Sequence, residues 1–433
     1  MTQSETPTLL AEPRGGVPDV TATPAAFREA ERMLAAGTGP VAADAERASG
    51  FRYGHEDWLI QLKREGTGIV LLDPVALTRA GVRLDGLNRL FAGEEWILHD
   101  APMDLPGFAD LGLRPDALFD TEMAARLLGA RRFGLSAVTE RYLGVTLAKE
   151  HSAADWSYRP LPRGWRNYAA LDVELLVELR ARLRAELRAA GKDGWAAEEF
   201  AHLLAEGLAP REKPAEPWRS TSRISMLSRD PQGLAVARAL WCERDRLARG
   251  LDIAPSLLLS DRAIVEAGLR KPRNMRQFAQ IRILNERVRI FTGGEQDAMY
   301  ARYIPLQRKV RPAVWRETIR RALALPREQW PSATPPAGEP HANSPRSMKY
   351  WQTHHPDRYE RYERARRAVA QVAEDTGTPA DVLLKPRYLR NLCWRDDIRG
   401  ADEVRVFLAG QGARAWQRGL LGASIARALE GRS

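Results

Sequence analysis

Asp44 and Glu46 close the run Gly39-Pro-Val-Ala-Ala-Asp-Ala-Glu46, which reads as a short buried strand. Residues i and i+2 of a strand share a face, so the two carboxylates project together. Such a pair repels and is tolerated only when solvated or bridged by a cation. Asp104 follows a strand-like run at 95–99 and lies near a helix start, where an acid also suits the positive helix end. Asp120 ends an apolar run before a helix over 121–128 and reads as its N-cap. Tyr168 and Asp172 are four apart on a helix expected over about 162–189, hence on one face. They flank the apolar stripe Leu171, Leu175, Leu179, Leu183. A carboxylate at the edge of such a stripe needs a cation or hydrogen-bond partners, and a local Tyr–Asp contact would also satisfy it.

The elements that must position these groups follow from periodicity and punctuation. Runs at 58–62 and 67–73, joined by a short loop, read as antiparallel neighbours of the first strand, so the sheet opens as a three-strand meander with the 95–99 run as a fourth strand. Residues 1–37 read as a flexible arm ending in a short helix (24–36), and 38–208 as one α/β domain. A linker over 209–224 holds three prolines between Pro210 and Trp218 and cannot continue a helix. Beyond it the chain reads as helical: one module over 225–305, then a second over 306–433 with a Pro-rich linker at 326–345. Ile253-Ala-Pro-Ser-Leu-Leu-Leu-Ser-Asp-Arg262 can be laid on Thr378-Pro-Ala-Asp-Val-Leu-Leu-Lys-Pro-Arg387 at an offset of 125. That pattern fits a duplicated module or two unrelated helical hairpins sharing a Leu-Leu core pair.

Charge separates the halves. Residues 1–210 carry 24 Lys and Arg against 31 Asp and Glu, whereas 211–433 carry 42 against 25. A basic half beside an acidic half suggests that one part attracts a polyanion while the other needs carboxylates. Arg246, Arg249, Lys271, Arg273 and Arg276 are candidate phosphate contacts, and Tyr300, Tyr303, Tyr350, Trp351, Tyr359 and Tyr362 interleave with cations nearby. Small helical cores are the competing role for those aromatics. No apolar run approaches the ~20 residues a bilayer span needs. No basic-then-apolar leader is evident, and Cys242 and Cys393 are too few for a disulfide framework or zinc knuckle. A cytoplasmic protein without membrane contact or an obligate protein partner is expected. His99 reads as a packed strand-end residue and His354-His355 as surface.

In order, Val41-Ala-Ala-Asp-Ala-Glu46, His99 through Asp104-Leu105, and Tyr168-Ala-Ala-Leu-Asp172 resemble the three motifs of DEDD-type 3′–5′ exonucleases. Gly144-Val-Thr-Leu-Ala-Lys149 and Asp155-Trp-Ser-Tyr-Arg-Pro-Leu161 resemble the ribonuclease D family in particular, as does an HRDC-like stretch, Leu240-Trp-Cys-Glu-Arg-Asp-Arg-Leu-Ala-Arg249 followed by Asp252-Ile-Ala-Pro255. The resemblance implies a ribonuclease-H-like mixed sheet, α/β in class, followed by two all-α HRDC-like domains. It further implies that Asp44, Glu46, Asp104 and Asp172 hold two divalent cations and that Tyr168 orients the attacking water. Four acids without Cys suit hard Mg²⁺ or Mn²⁺. Structured RNA with a free 3′ end, tRNA-like precursors included, is the implied substrate, with nucleoside 5′-monophosphates released. A DNA 3′–5′ exonuclease and a non-catalytic nucleic-acid-binding adaptor are the competing readings, and intact acids weigh against the adaptor. Two positions depart from the family: Ala45, often Thr, and Arg47, where an aromatic is frequent.

Overall fold

A computed structural model describes residues 6–148, 154–212, 214–290, 293–332 and 344–431. Parts of the Gly144–Lys149 motif and of both linkers, including most of 326–345, lie outside the described residues.

The α/β domain is built on a six-stranded mixed sheet. Its strands are β2 (Val20–Thr21), β3 (Thr38–Arg47), β4 (Asp57–Glu65), β5 (Val70–Leu72), β6 (Glu95–Leu98) and β7 (Ala117–Asp120), in spatial order β2-β5-β4-β3-β6-β7. The antiparallel meander β3-β4-β5 is present, while β6 and β7 join in parallel. β3 lies between β4 and β6, and Val41, Ala42 and Ala43 on it are fully buried. Small residues there let covering helices approach closely.

The loose arm is corrected for the described part of 1–37. β1 (Thr8–Leu10) pairs in parallel with β8 (Val145–Leu147), β2 extends the sheet edge, and helix α1 (Pro24–Ala36) is capped by the Thr23 hydroxyl. Strands of two and three residues carry no periodic signal, so only their partners fix them.

α2 (Pro74–Arg79) and α3 (Gly86–Leu90) lead to β6, after which the chain enters α4 (Ala101–Asp110) through Asp100 in the left-handed region (φ 65°, ψ 54°). Asp120 caps twice: one oxygen accepts from Met123 N at the start of α5 (Thr121–Leu127), the other from Ala101 N at the start of α4. α6 (Leu135–Leu143) precedes β8. The single helix expected over 162–189 is corrected to two, α7 (Arg163–Glu174) and α8 (Leu176–Ala189). Lys63 Nζ takes the Glu174 carbonyl at 2.6 Å, a side chain inserted where the helical ladder would run. The Leu stripe nevertheless stays buried across the break. α9 (Asp193–Leu208) packs on α4, where a Cβ on Gly207 would come within 2.6 Å of Leu105.

The two helical modules share one geometry. α10 (Pro231–Leu251), a short turn Pro255–Leu258 and a helix starting at Asp261 are matched, each 125 residues later, by Pro356–Thr376, Ala380–Leu383 and a helix starting at Pro386. The long helices end in equivalent left-handed residues, Asp252 (φ 49°) and Gly377 (φ 62°). Gln307 and Gln417 donate to the equivalent carbonyls of Leu257 and Val382. Duplication therefore describes the modules better than two unrelated hairpins.

Both copies seat the same turn on the α/β domain. In the first, Ala254 N donates to the Phe51 carbonyl at 2.8 Å and Asp252 pairs with Arg52. In the second, Lys192 Nζ and the Thr378 hydroxyl both donate to the Leu127 carbonyl. Their cores run on into different parts of that domain. Part of the first Pro-rich linker is packed rather than loose, since Trp218 is buried at 3% exposure.

Candidate active site

Strand alternation, helix spacing and helix entry each place one part of the site. β3 turns Asp44 and Glu46 to one side, and α7, which packs across β3 and β4, brings Asp172 to them. Ligand oxygens of Asp44, Glu46 and Asp172 all lie within 4.8 Å of one another. Asp104, in the first turn of α4 and buried, stands just outside that group, with Oδ1 accepting from Arg47. The Tyr168 hydroxyl hydrogen-bonds Asp172, one helical turn along α7. Local spacing sets the two pairs, and the packing of α7 and α4 on β3 joins them, with Asp104 alongside.

Burial dominates their electrostatics. Asp44 is pushed up to about 7, chiefly by desolvation, with Arg47 opposing. Glu46 is driven well above the usual carboxylate range by burial and by Asp44, Asp172 and Asp104 around it. Asp104 and Asp172 move the same way, burial first and Asp44 second. Tyr168 is raised by burial and by the surrounding carboxylates, so its hydroxyl keeps its proton at neutral pH and acts as a donor. Clustered, part-buried, all-oxygen donors that outnumber the one neighbouring cation, Arg47, fit a hard divalent cation. His99 takes no part: its Nδ1 meets the Thr121 hydroxyl at 2.8 Å, and burial lowers it to about 4.

The raised carboxylates couple binding to protons. Below about pH 7 the cluster holds protons that a cation must displace, so affinity rises with pH. From pH 6 to pH 7, apparent Mn²⁺ affinity is expected to increase by about tenfold for each proton displaced. Titration calorimetry in buffers of different ionisation enthalpy reads the released protons. A pH-independent affinity with no proton release would remove the cluster as the cation site.

Beside Glu46 opens a cleft of about 630 Å³, lined among others by Arg47, Phe51, His55, Met103, Arg211 and Tyr300. Tyr300 comes from the first helical module and stacks on Phe51, ring centroids 4.5 Å apart. One wall of the cleft is therefore supplied by that module. Phe51, His55 and Arg211 carried no motif signal, because nothing local to them announces a cleft. The candidate phosphate contacts lie elsewhere. Arg246 pairs with Glu243, Arg249 with Asp245 and the Tyr53 hydroxyl, and Lys271 with Asp230, while Arg273 and Arg276 are exposed. Trp351 and Tyr303 are core residues. His354 is exposed and His355 half-buried against Trp394.

Three family profiles match in sequence order: a 3′-5′ exonuclease over residues 19–188, an HRDC domain over 233–293, and a 3′ to 5′ exonuclease C-terminal domain over 344–429. A ribonuclease D of Jannaschia sp. is 31% identical over 52% of the chain. The chain is similar to ribonucleases D. It spans 58% of the length of that Jannaschia relative. Among solved structures, a protein from Bifidobacterium adolescentis is 56% identical, with 98% of this chain and 100% of that one covered and a TM-score of 0.90. Escherichia coli RNase D, described as an exoribonuclease involved in structured RNA processing, shares the fold at 22% identity, with 86% and 89% covered and a TM-score of 0.59. The ribonuclease D architecture, a mixed-sheet exonuclease domain with helical C-terminal modules, is the one observed. Among the described residues no helix is long and apolar enough to cross a membrane.

Proposed function

We propose that this ribonuclease D homologue is a metal-dependent 3′–5′ exoribonuclease. It would trim single-stranded 3′ ends of structured, tRNA-like RNA and release nucleoside 5′-monophosphates. The observation that carries this reading is the convergence of Asp44, Glu46 and Asp172 within 4.8 Å, with Tyr168 bonded to Asp172 and Asp104 alongside, at the mouth of a cleft.

Each turnover adds one water across the terminal phosphodiester: the phosphorus–3′-oxygen bond breaks, the shortened chain keeps a 3′-hydroxyl and the nucleotide leaves with the phosphate. Asp44, Glu46, Asp172 and Asp104 would hold two divalent cations, Mg²⁺ or Mn²⁺. When bound, these supply activation of water and neutralisation of the leaving oxygen. The protonated Tyr168 hydroxyl is placed to orient the water, a contribution of position rather than basicity. Tyr300, backed by the buried Phe51 ring, offers aromatic surface to unpaired bases regardless of sequence. The surplus cations of the helical half would hold the folded part of the RNA through salt-sensitive phosphate contacts.

The test uses a 5′-labelled RNA with a paired stem and a single-stranded 3′ tail, incubated with Mg²⁺, Mn²⁺ or EDTA, beside a DNA of the same sequence. A ladder shortening from the 3′ end, present only with metal and favoured on RNA, is expected. A stronger DNA ladder would reassign the substrate, and salt-sensitive binding without any ladder would leave only a binding protein.

A further inference from the structure

Arg47 stands one residue past the Asp44–Glu46 pair, yet its guanidinium is turned inward. The side chain is 19% exposed, with Nε 3.1 Å from Asp57 Oδ1. Nη2 donates both to Asp104 Oδ1 and, at 2.5 Å, to the Met103 carbonyl. Asp57 faces Arg47 across the β3–β4 ladder, just past an irregularity between Glu46 and Arg47 that re-aims the side chain. Its carboxylate is buried against α4, where a Cβ on Gly107 would lie 2.3 Å from Oδ2. Among the described residues, no hydrogen-bond donor other than this guanidinium approaches the Asp57 oxygens. Asp57 is not among the clustered carboxylates. It is a buried acid whose partner is the Arg47 guanidinium.

We propose that Arg47 is a positioning residue: a resident cation, anchored by Asp57, that fixes the carboxylate of Asp104 at the site before a divalent ion binds. The proposal rests on the reading of that cluster as a cation site. One guanidinium ties the ends of β3 and β4 to the first turn of α4, the elements that carry Asp44, Glu46 and Asp104. It engages one oxygen of Asp104, and a carboxylate has a second to offer. Its positive charge also offsets the repulsion among acids that would otherwise splay apart when metal-free.

The sign of one measurement separates positioning from simple charge. By Coulomb's law alone, removing a nearby cation strengthens binding of a second cation. Losing a residue that orients a ligand weakens it, typically by about 10–100-fold. Mn²⁺ affinity of the full chain would be measured by titration calorimetry for wild type, Asp57→Asn, Arg47→Lys and the double variant Arg47→Met with Asp57→Asn. The double variant leaves no unpaired buried charge and so guards against simple misfolding. We expect the double variant to bind Mn²⁺ about 10–100-fold more weakly than wild type, with Arg47→Lys recovering part of the loss. Affinity in the double variant equal to or above that of wild type would overturn the proposal. Wild type that binds no Mn²⁺ would instead overturn the cation site itself.

Discussion

Asp172→Asn is expected to lower kcat/KM on a single-stranded 3′ tail by about 10³–10⁴-fold while raising the melting temperature of the metal-free chain. The first part follows from the several kcal/mol of transition-state charge stabilisation that a correctly held divalent ion supplies, at about 1.4 kcal/mol per tenfold. Asn keeps an acceptor for the Tyr168 hydroxyl and the same volume, so the fold is preserved. The second part follows from linkage. Asp172 has a folded pKa raised above its unfolded value, so the folded chain retains protons that the unfolded chain releases. Its stability therefore falls as pH rises from about 4 through the folded value. An uncharged amide removes that cost along with the repulsion from Asp44. Steady-state kinetics and melting in EDTA at pH 8 read both effects. Turnover at the wild-type rate would reject Asp172 as part of the site. A lowered melting temperature would show that the loss of activity came from damage to the fold.

Glu199→Ala should loosen the second helical module without touching the chemistry. Glu199, on α9, is buried and pairs with Arg414 at 2.8 Å, and its Oε1 also accepts from the Trp416 indole at 2.9 Å. Trp416 stacks on Trp195 with centroids 4.7 Å apart, so this contact unites charge, hydrogen bonding and aromatic packing. Removing one partner of a buried pair leaves the other uncompensated, at a cost of about 3–5 kcal/mol. Hydrogen exchange across Ala415–Leu429 should accelerate accordingly, while hydrolysis of a short single-stranded oligonucleotide stays near the wild-type rate. Glu199→Gln, which keeps the acceptor for the indole, should fall between. Unchanged protection in Glu199→Ala would mean that apolar packing alone seats the module.

The two residue pairs of the candidate site were legible because their spacings are local. The i, i+2 relation of Asp44 and Glu46 and the i, i+4 relation of Tyr168 and Asp172 hold on any strand or helix, wherever it packs. Asp120 was legible as a cap for the same reason, although its second role, accepting from Ala101 N, joins elements with no local signal. The 162–189 helix broke at Leu175 because a lysine from β4 competes for a carbonyl, a contact absent from the helix's own residues. The N-terminal strands were missed because two- and three-residue strands exist only through the partners that take their hydrogen bonds. In the sequence Arg47 stands out only as a departure from the aromatic frequent in the family. In the fold it lines the cleft while spanning Asp57 and Asp104, ten and fifty-seven residues away.

By itself the sequence determined the order of the acidic motifs and the α/β-then-α architecture, since each is written in short-range periodicity and motif order, while the 125-residue offset became a duplication only once the two modules showed the same geometry. Only the tertiary structure decided that both module copies dock through equivalent turns, and that Tyr300 enters the exonuclease cleft. It alone decided, too, that a buried Asp57 holds Arg47 against Asp104. These features depend on which surfaces meet, and burial of charge is tolerated only where the whole fold supplies its partner.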